Sequence, residues 1–242
     1  MRAGQDLPGH EGPLRLTESH VLLEDADLAR RVFNLMMVLD ARITAGVGGA
    51  SPGDVVILAG STHPTEERTV WDAFVKARAE LPNVRLVICP RHPERFTSVA
   101  DELTELGAKV HRLSLPQHSD PRLCDVVLID QMGTLGSSFG AADIGIVGGA
   151  WNPIGGHNLL EPASHGIPVL HGPHMHEQRE IMRIMLEHHA SLEASRSDLG
   201  QKLFALASNP KERDVMGKRG QTAASENAGA ATRSVVLIEL LK

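Results

Sequence analysis

The stretch AADIGIVGGAWNPIGGHNLLEPASHG, residues 141–166, decides how this chain folds. Residues 141–147 form a short apolar run suited to a buried strand, and residues 148–157 are a glycine-rich loop. Asn158 is an N-cap type residue before a short helical turn, which Gly166 is placed to end. A strand that passes through glycines into a helix start leaves backbone N–H groups open to an anion, and the helix dipole favours negative charge there. The loop therefore predicts a nucleotide or sugar-phosphate site.

The same strand-then-helix grammar extends to both sides. Strands are expected at Val55–Ala59, Arg85–Cys89, Lys109–Leu113, Val126–Ile129, Ile144–Val147 and Pro168–Leu170. Helices are expected between them near 64–80, 94–106 and 134–141 and from 158. This alternation predicts βαβ units with right-handed crossovers, an α/β protein with a Rossmann-like, doubly wound parallel sheet. From residue 175 the pattern is mainly helical, with segments at 175–189, 196–207, 210–226 and 230–241. Residues 1–53 divide from this domain, 54–242, as a Gly- and Pro-rich leader followed by an amphipathic helix over 24–45. That helix would carry Leu28, Val32, Leu35, Met36 and Leu39 on one face, a surface in need of a partner.

Composition removes several classes of function. A chain of 242 residues with 42% apolar and 22% charged residues can bury a sizeable core. Its formal charge of −6 argues against a nucleic-acid partner. No apolar run approaches the roughly 18 residues of a membrane span, and MRAGQDLPGHEG lacks a signal-peptide core, so the expected location is the cytoplasm. Cys89 and Cys124 sit in or beside strand-like runs and read as reduced core residues.

A doubly wound sheet binds its ligand beyond the carboxyl ends of the strands, and every candidate motif falls there. Ser61-Thr62-His63 follows the first strand and Pro90-Arg91-His92-Pro93 the second. Asp130-Gln131-Met132-Gly133-Thr134 follows the fourth, and the glycine loop the fifth. Arg91 offers a planar fork to a phosphate, although an arginine there can equally pair with a surface carboxylate. Asn158 and Glu161, three apart at a helix start, can both reach a ligand; the same spacing also serves a structural capping box. Met132-Gly133 can lie against a flat base, or Met132 can fill core while Thr134 caps a helix. His165, His171, His174 and His176 cluster in sequence, but no cysteine or acidic pair completes a metal site, and no metal is expected.

Taken in order, AGSTHPTEE (59–67), CPRHPERF (89–96), DQMGTLGSSFGAADIGIVGG (130–149) and GGHNLLEPASHGIPVLHGPHMHEQREI (155–181) resemble the C-terminal half of the 3-deoxy-D-manno-octulosonic acid (Kdo) transferases. These are inverting glycosyltransferases of the GT-B class that act in lipopolysaccharide core synthesis. The resemblance implies a single GT-B C-terminal-type domain with C-terminal helices that binds the donor, CMP-Kdo, through its CMP portion. The positions it assigns to CMP are Pro90, Arg91, Met132, Gly133, Thr134, Asn158, Leu159, Leu160 and Glu161, with Ser61, His63, Gly155 and Gly156 as a further donor loop. Two positions depart from the family's pattern: Thr134 stands where Glu is usual, and Leu159 where Pro is usual.

The resemblance also implies no cofactor and no metal. The family's acceptor domain, with its membrane anchor and the Glu that acts as general base, has no counterpart in residues 1–53, so no catalytic residue is assigned in this chain. The implied partner is an N-terminal acceptor domain, either a separate polypeptide or the rest of a longer gene product of which this chain is a fragment, through which the protein would meet a lipid A precursor at the inner membrane. A non-catalytic nucleotide-sugar binding module and a related GT-B enzyme such as a sugar epimerase stay open beside the transferase half.

Overall fold

The computed structural model describes residue 50 and residues 53–240. The helix expected over 24–45 lies outside the described residues.

Seven strands form one parallel sheet: β1 (Val55–Thr62), β2 (Val84–Pro90), β3 (Val110–Arg112), β4 (Val126–Leu128), β5 (Ile144–Val147), β6 (Val169–His171) and β7 (Ser191–Glu193). Their order is β3-β4-β2-β1-β5-β6-β7. The helices are α1 (Glu66–Glu80), α2 (Phe96–Glu105), α3 (Leu135–Ser138), α4 (Leu160–Ser164), α5 (Arg179–Glu187), α6 (Leu199–Ser208) and α7 (Pro210–Leu240). The chain leaves β1 toward β2 on one side and later inserts β5 against the other side of β1. The loops after β1 and β5 therefore diverge, opening the crevice in which such sheets bind ligands.

The α/β doubly wound architecture follows from alternation along the strands. Val55, Ile57 and Ala59 of β1 point into one core with Trp71 and Phe74 of α1, Val99 and Leu103 of α2 and Leu199 and Leu203 of α6. Val56 and Leu58 point the other way, to Val87, Cys89, Val127, Ile129 and the ring of Phe139. Each fully buried Phe or Leu here contributes about 1.5–3 kcal/mol.

Three features differ most from the sequence expectation. β7 falls in the tail read as helical; it is a three-residue edge strand, too short to carry a periodic signal. The two helices expected at 210–226 and 230–241 are one helix, α7, because a lone Gly229 costs a helix only about 1 kcal/mol. The turn expected to begin at Asn158 begins at Leu160.

Candidate functional site

The loops after β1, β2 and β4 and the start of α4 enclose a cleft of about 360 Å³ at the carboxyl edge of the sheet, lined by Ser61, Pro90, Arg91, Met132, Gly133 and Glu161 among others. These six residues were singled out from sequence, and the topology brings them together. The lining also includes Cys89, Phe96, Gln131, Leu135 and Gly136, which periodicity alone marks as core or turn.

Local chemistry explains how each loop is held. β1 bulges between Gly60 and Thr62, and Ser61 at the bulge has φ 55, a left-handed backbone that costs a non-glycine residue of order 1–3 kcal/mol. Its neighbour one turn on, Thr65, has φ 74. Such strain persists only where surrounding contacts over-determine it, and here they do. The β2 loop is tied back by the Arg91 N–H, which donates to the Thr62 carbonyl at 3.0 Å. The β4 loop is anchored by Asp130, which accepts from Arg112 Nε at 2.7 Å and from the Ser114 N–H at 2.8 Å.

The two arginines of Pro90–Phe96 have different tasks. Arg95 is committed to the interior: it grips the buried Glu67 carboxylate with two bonds of 2.8 and 3.0 Å, and Thr62 Oγ1 donates to the same carboxylate at 2.8 Å. Arg91 is exposed, and among the described residues its guanidinium makes no hydrogen bond or ion pair. It is the cation of this cleft with its donors to spare.

The glycine loop is already occupied by an anion belonging to the protein. The carboxylate of Glu66, fully buried, accepts the N–H groups of Gly149 (2.8 Å), Ala150 (3.0 Å), Trp151 (2.9 Å) and His63 (3.0 Å). Gly148 permits this approach, since a Cβ there would stand 2.8 Å from Glu66 Oε2 and against the Ser61 carbonyl. The backbone N–H groups read from sequence as open to a ligand anion are thus taken by a side chain of α1. Sequence reasoning missed Glu66 because acids in the first turn of a helix are ordinary helix-start chemistry; the available signal was their position at the ligand edge.

Gly155 (φ 109) and Gly156 (φ 80) fold the loop back on itself, with Gly156 N–H donating to the Gly149 carbonyl at 2.8 Å. They shape the loop behind the cleft. Leu159 and Leu160 are buried in the core, so only their backbone faces the loop. Asn158 is exposed and its Oδ1 accepts the Leu160 N–H at 2.9 Å, while α4 is only five residues long. Of this segment Glu161 alone extends a side chain into the cleft. Thr134 precedes α3, and its hydroxyl donates to the Gln131 carbonyl at 3.3 Å.

His63, buried beside Glu66, meets His157 with their Nε2 atoms 2.8 Å apart, and the ring of His92 stands at its edge with centroids 5.2 Å apart. Burial, followed by the fields of His63, Arg91 and His92, lowers the pKa of His157 to about 4. Burial likewise lowers that of His63. Both rings are neutral near pH 7. Burial and the nearby Glu161 carboxylate push the Cys89 thiol up to about 12, so it is no nucleophile. Cys124, read as buried, is half-buried; its thiol donates to the Asp120 carbonyl. Among the described residues no group of three or more His, Cys, Asp or Glu is placed to hold a metal, and no helix is long and apolar enough to cross a membrane.

The chain has the doubly wound, Rossmann-like fold found in one half of GT-B glycosyltransferases. Its sequence is related to the 3-deoxy-D-manno-octulosonic acid transferases. It is 36% identical to the Haemophilus influenzae enzyme over 187 residues, 76% of this chain and 43% of the relative. It is 32% identical to that of Bordetella pertussis over 203 residues, 82% of this chain and 47% of the relative. The chain spans about half the length of these curated relatives. Among solved structures it superposes on the C-terminal CMP-Kdo binding domain of WaaA from Acinetobacter baumannii with a TM-score of 0.67 at 24% identity, covering 82% of this chain and 97% of that one. No family model matches the chain.

Proposed function

We propose that this chain is the donor-binding half of an inverting glycosyltransferase that moves Kdo from CMP-Kdo to a lipid A precursor. The observation that carries the proposal is the convergence of Pro90, Arg91, Met132, Gly133 and Glu161 from three separate parts of the chain on one cleft at the sheet's carboxyl edge. The sequence relationship to Kdo transferases supports the choice of donor.

In this account the cytosine ring lies against Met132 and the open backbone of Gly133, and Glu161 accepts hydrogen bonds from the ribose hydroxyls. Asn158, Leu159 and Leu160 serve mainly through loop backbone, Ser61 and His63 border the sugar, and Gly155 and Gly156 act by shaping the donor loop behind it. Arg91 meets the phosphate. As an acceptor hydroxyl attacks the anomeric carbon, the bond to the phosphate oxygen breaks and negative charge grows on departing CMP. A guanidinium against that oxygen stabilises the transition state more than the ground state. The base that takes the hydroxyl proton belongs to an acceptor domain outside residues 54–242, which also brings the protein to the inner membrane. No cofactor takes part.

The test is a transfer assay with CMP-Kdo and a lipid A precursor, run with this chain alone and with an acceptor domain supplied as a separate polypeptide. Turnover in the pair and none with either part alone is the expected result. Turnover by this chain alone would contradict the half-enzyme assignment, and specific CMP binding without turnover in any pairing would favour a non-catalytic binding module.

A further inference from the structure

The glycine loop cannot give an incoming anion the N–H groups of residues 149–151, because the Glu66 carboxylate holds all three. A phosphate or carboxylate entering the crevice must therefore find its donors elsewhere. The donors at hand come from three loops. His63 follows β1, Arg91 and His92 follow β2, and His157 closes the glycine loop, its ring lying over the Gly149 backbone. The Nε2 atoms of His63 and His157 are 2.8 Å apart and His92 packs edge-on against His63, so one contact chain crosses the crevice at the point where the sheet's connections diverge.

We propose that His63, His92 and His157, with Arg91, form an oxyanion subsite beside the nucleotide cleft, which takes the phosphate or the carboxylate of the bound ligand and gains one proton in doing so. The proposal rests on the nucleotide-sugar reading above. Two neutral imidazoles sharing one N–H···N bond have a ring nitrogen left over for a proton from solvent. In the free protein that proton is resisted. Burial, His92, Arg91 and Arg95 all oppose it, and only Glu66 and Glu67, both engaged by other donors, favour it. The remaining charged neighbour, Glu94, lies 3.8 Å from His92 Nδ1 and faces outward. An oxyanion arriving next to Arg91 reverses this balance, since a negative charge within about 4–6 Å favours the imidazolium. The proton then comes from solvent, the Nε2···Nε2 bond persists, and the added positive charge sits against the ligand's negative one.

The test is calorimetric titration of the full chain at pH 7 with cytidine, CMP and free Kdo, each in buffers of different ionisation enthalpy. Cytidine carries neither anion, CMP only a phosphate and Kdo only a carboxylate. Uptake of close to one proton with CMP assigns the subsite to phosphate, uptake with Kdo assigns it to carboxylate, and cytidine binds with none. Because the CMP phosphate itself titrates near pH 6, the same titrations are run on H157Q. There the linked proton is lost, and the wild-type gain in affinity on lowering pH, at most about tenfold per unit for one proton, flattens. H92Q, changed at an exposed ring, lowers the affinity for the same anion while leaving cytidine binding unaltered, and guards against misfolding of H157Q. Binding of CMP and Kdo without proton uptake, or with uptake unchanged in H157Q, overturns the subsite and leaves the nucleotide reading standing. Failure of all three ligands to bind overturns both.

Discussion

The Oε2 atom of Glu66 accepts the backbone N–H of Gly149 at 2.8 Å, joining the first turn of α1 to the loop after β5 across 83 residues of sequence. The same carboxylate takes three more N–H groups, so a loop that reads as an open anion cradle is a closed structural joint at residues 149–151. In the proposed function ligand recognition is left to side chains at the rim, with Arg91 foremost among them.

Glu66→Gln replaces a carboxylate oxygen with an NH2 that faces loop N–H groups. Bonds to charged acceptors contribute about 1.5–3 kcal/mol each, and the variant is expected to lose about 2–4 kcal/mol of stability in denaturant titration. A loss below about 0.5 kcal/mol, the range of a neutral surface change, would show that the loop does not depend on this joint.

Arg91 and Arg95, four residues apart, are expected to separate binding from folding. Arg91→Ala is expected to leave the unfolding midpoint in place and to weaken CMP binding by about 1.5–3 kcal/mol, the worth of a charged hydrogen bond. Unaltered CMP affinity in the folded variant would remove Arg91 from the site.

Arg95→Ala leaves Glu67 buried without its bidentate partner. Breaking a buried pair in this way costs about 3–5 kcal/mol, so the variant unfolds at distinctly lower denaturant. A midpoint like that of Arg91→Ala would contradict the division of labour between the two arginines.

His157, half-buried against His63, makes folding sensitive to acid. His157 titrates near 4 in the folded chain against 6.5 when unfolded, so between these values the unfolded chain binds more protons and stability falls as pH drops. Above pH 6.5 its contribution is complete; it disappears as pH passes down through about 4. Thermal unfolding from pH 7 to 4 is expected to show this decline, less steeply in His157→Gln. Equal slopes in the two proteins would mean that His157 is solvated like a free imidazole.

The central strands were legible because Ile57, Leu58, Ile144 and Ile146 are buried on both faces of the sheet and leave unbroken apolar runs. β7 was not, since Ser191–Glu193 at the edge buries little and is set by pairing with β6 rather than by its own sequence. Arg91, Met132, Gly133 and Glu161 could be placed from sequence because each sits at a strand or helix end and the parallel topology gathers such ends. Glu66 and His157 could not, because their roles depend on contacts across 83 and 94 residues, for which no local pattern exists.

The most direct test of the account is equilibrium binding of CMP against UDP and GDP, measured by calorimetry on the intact chain. The account predicts that CMP binds with a clear preference over both and that Arg91→Ala removes most of the affinity. A preference for UDP, or equal binding of all three, would contradict the assignment of this cleft to a CMP-sugar donor.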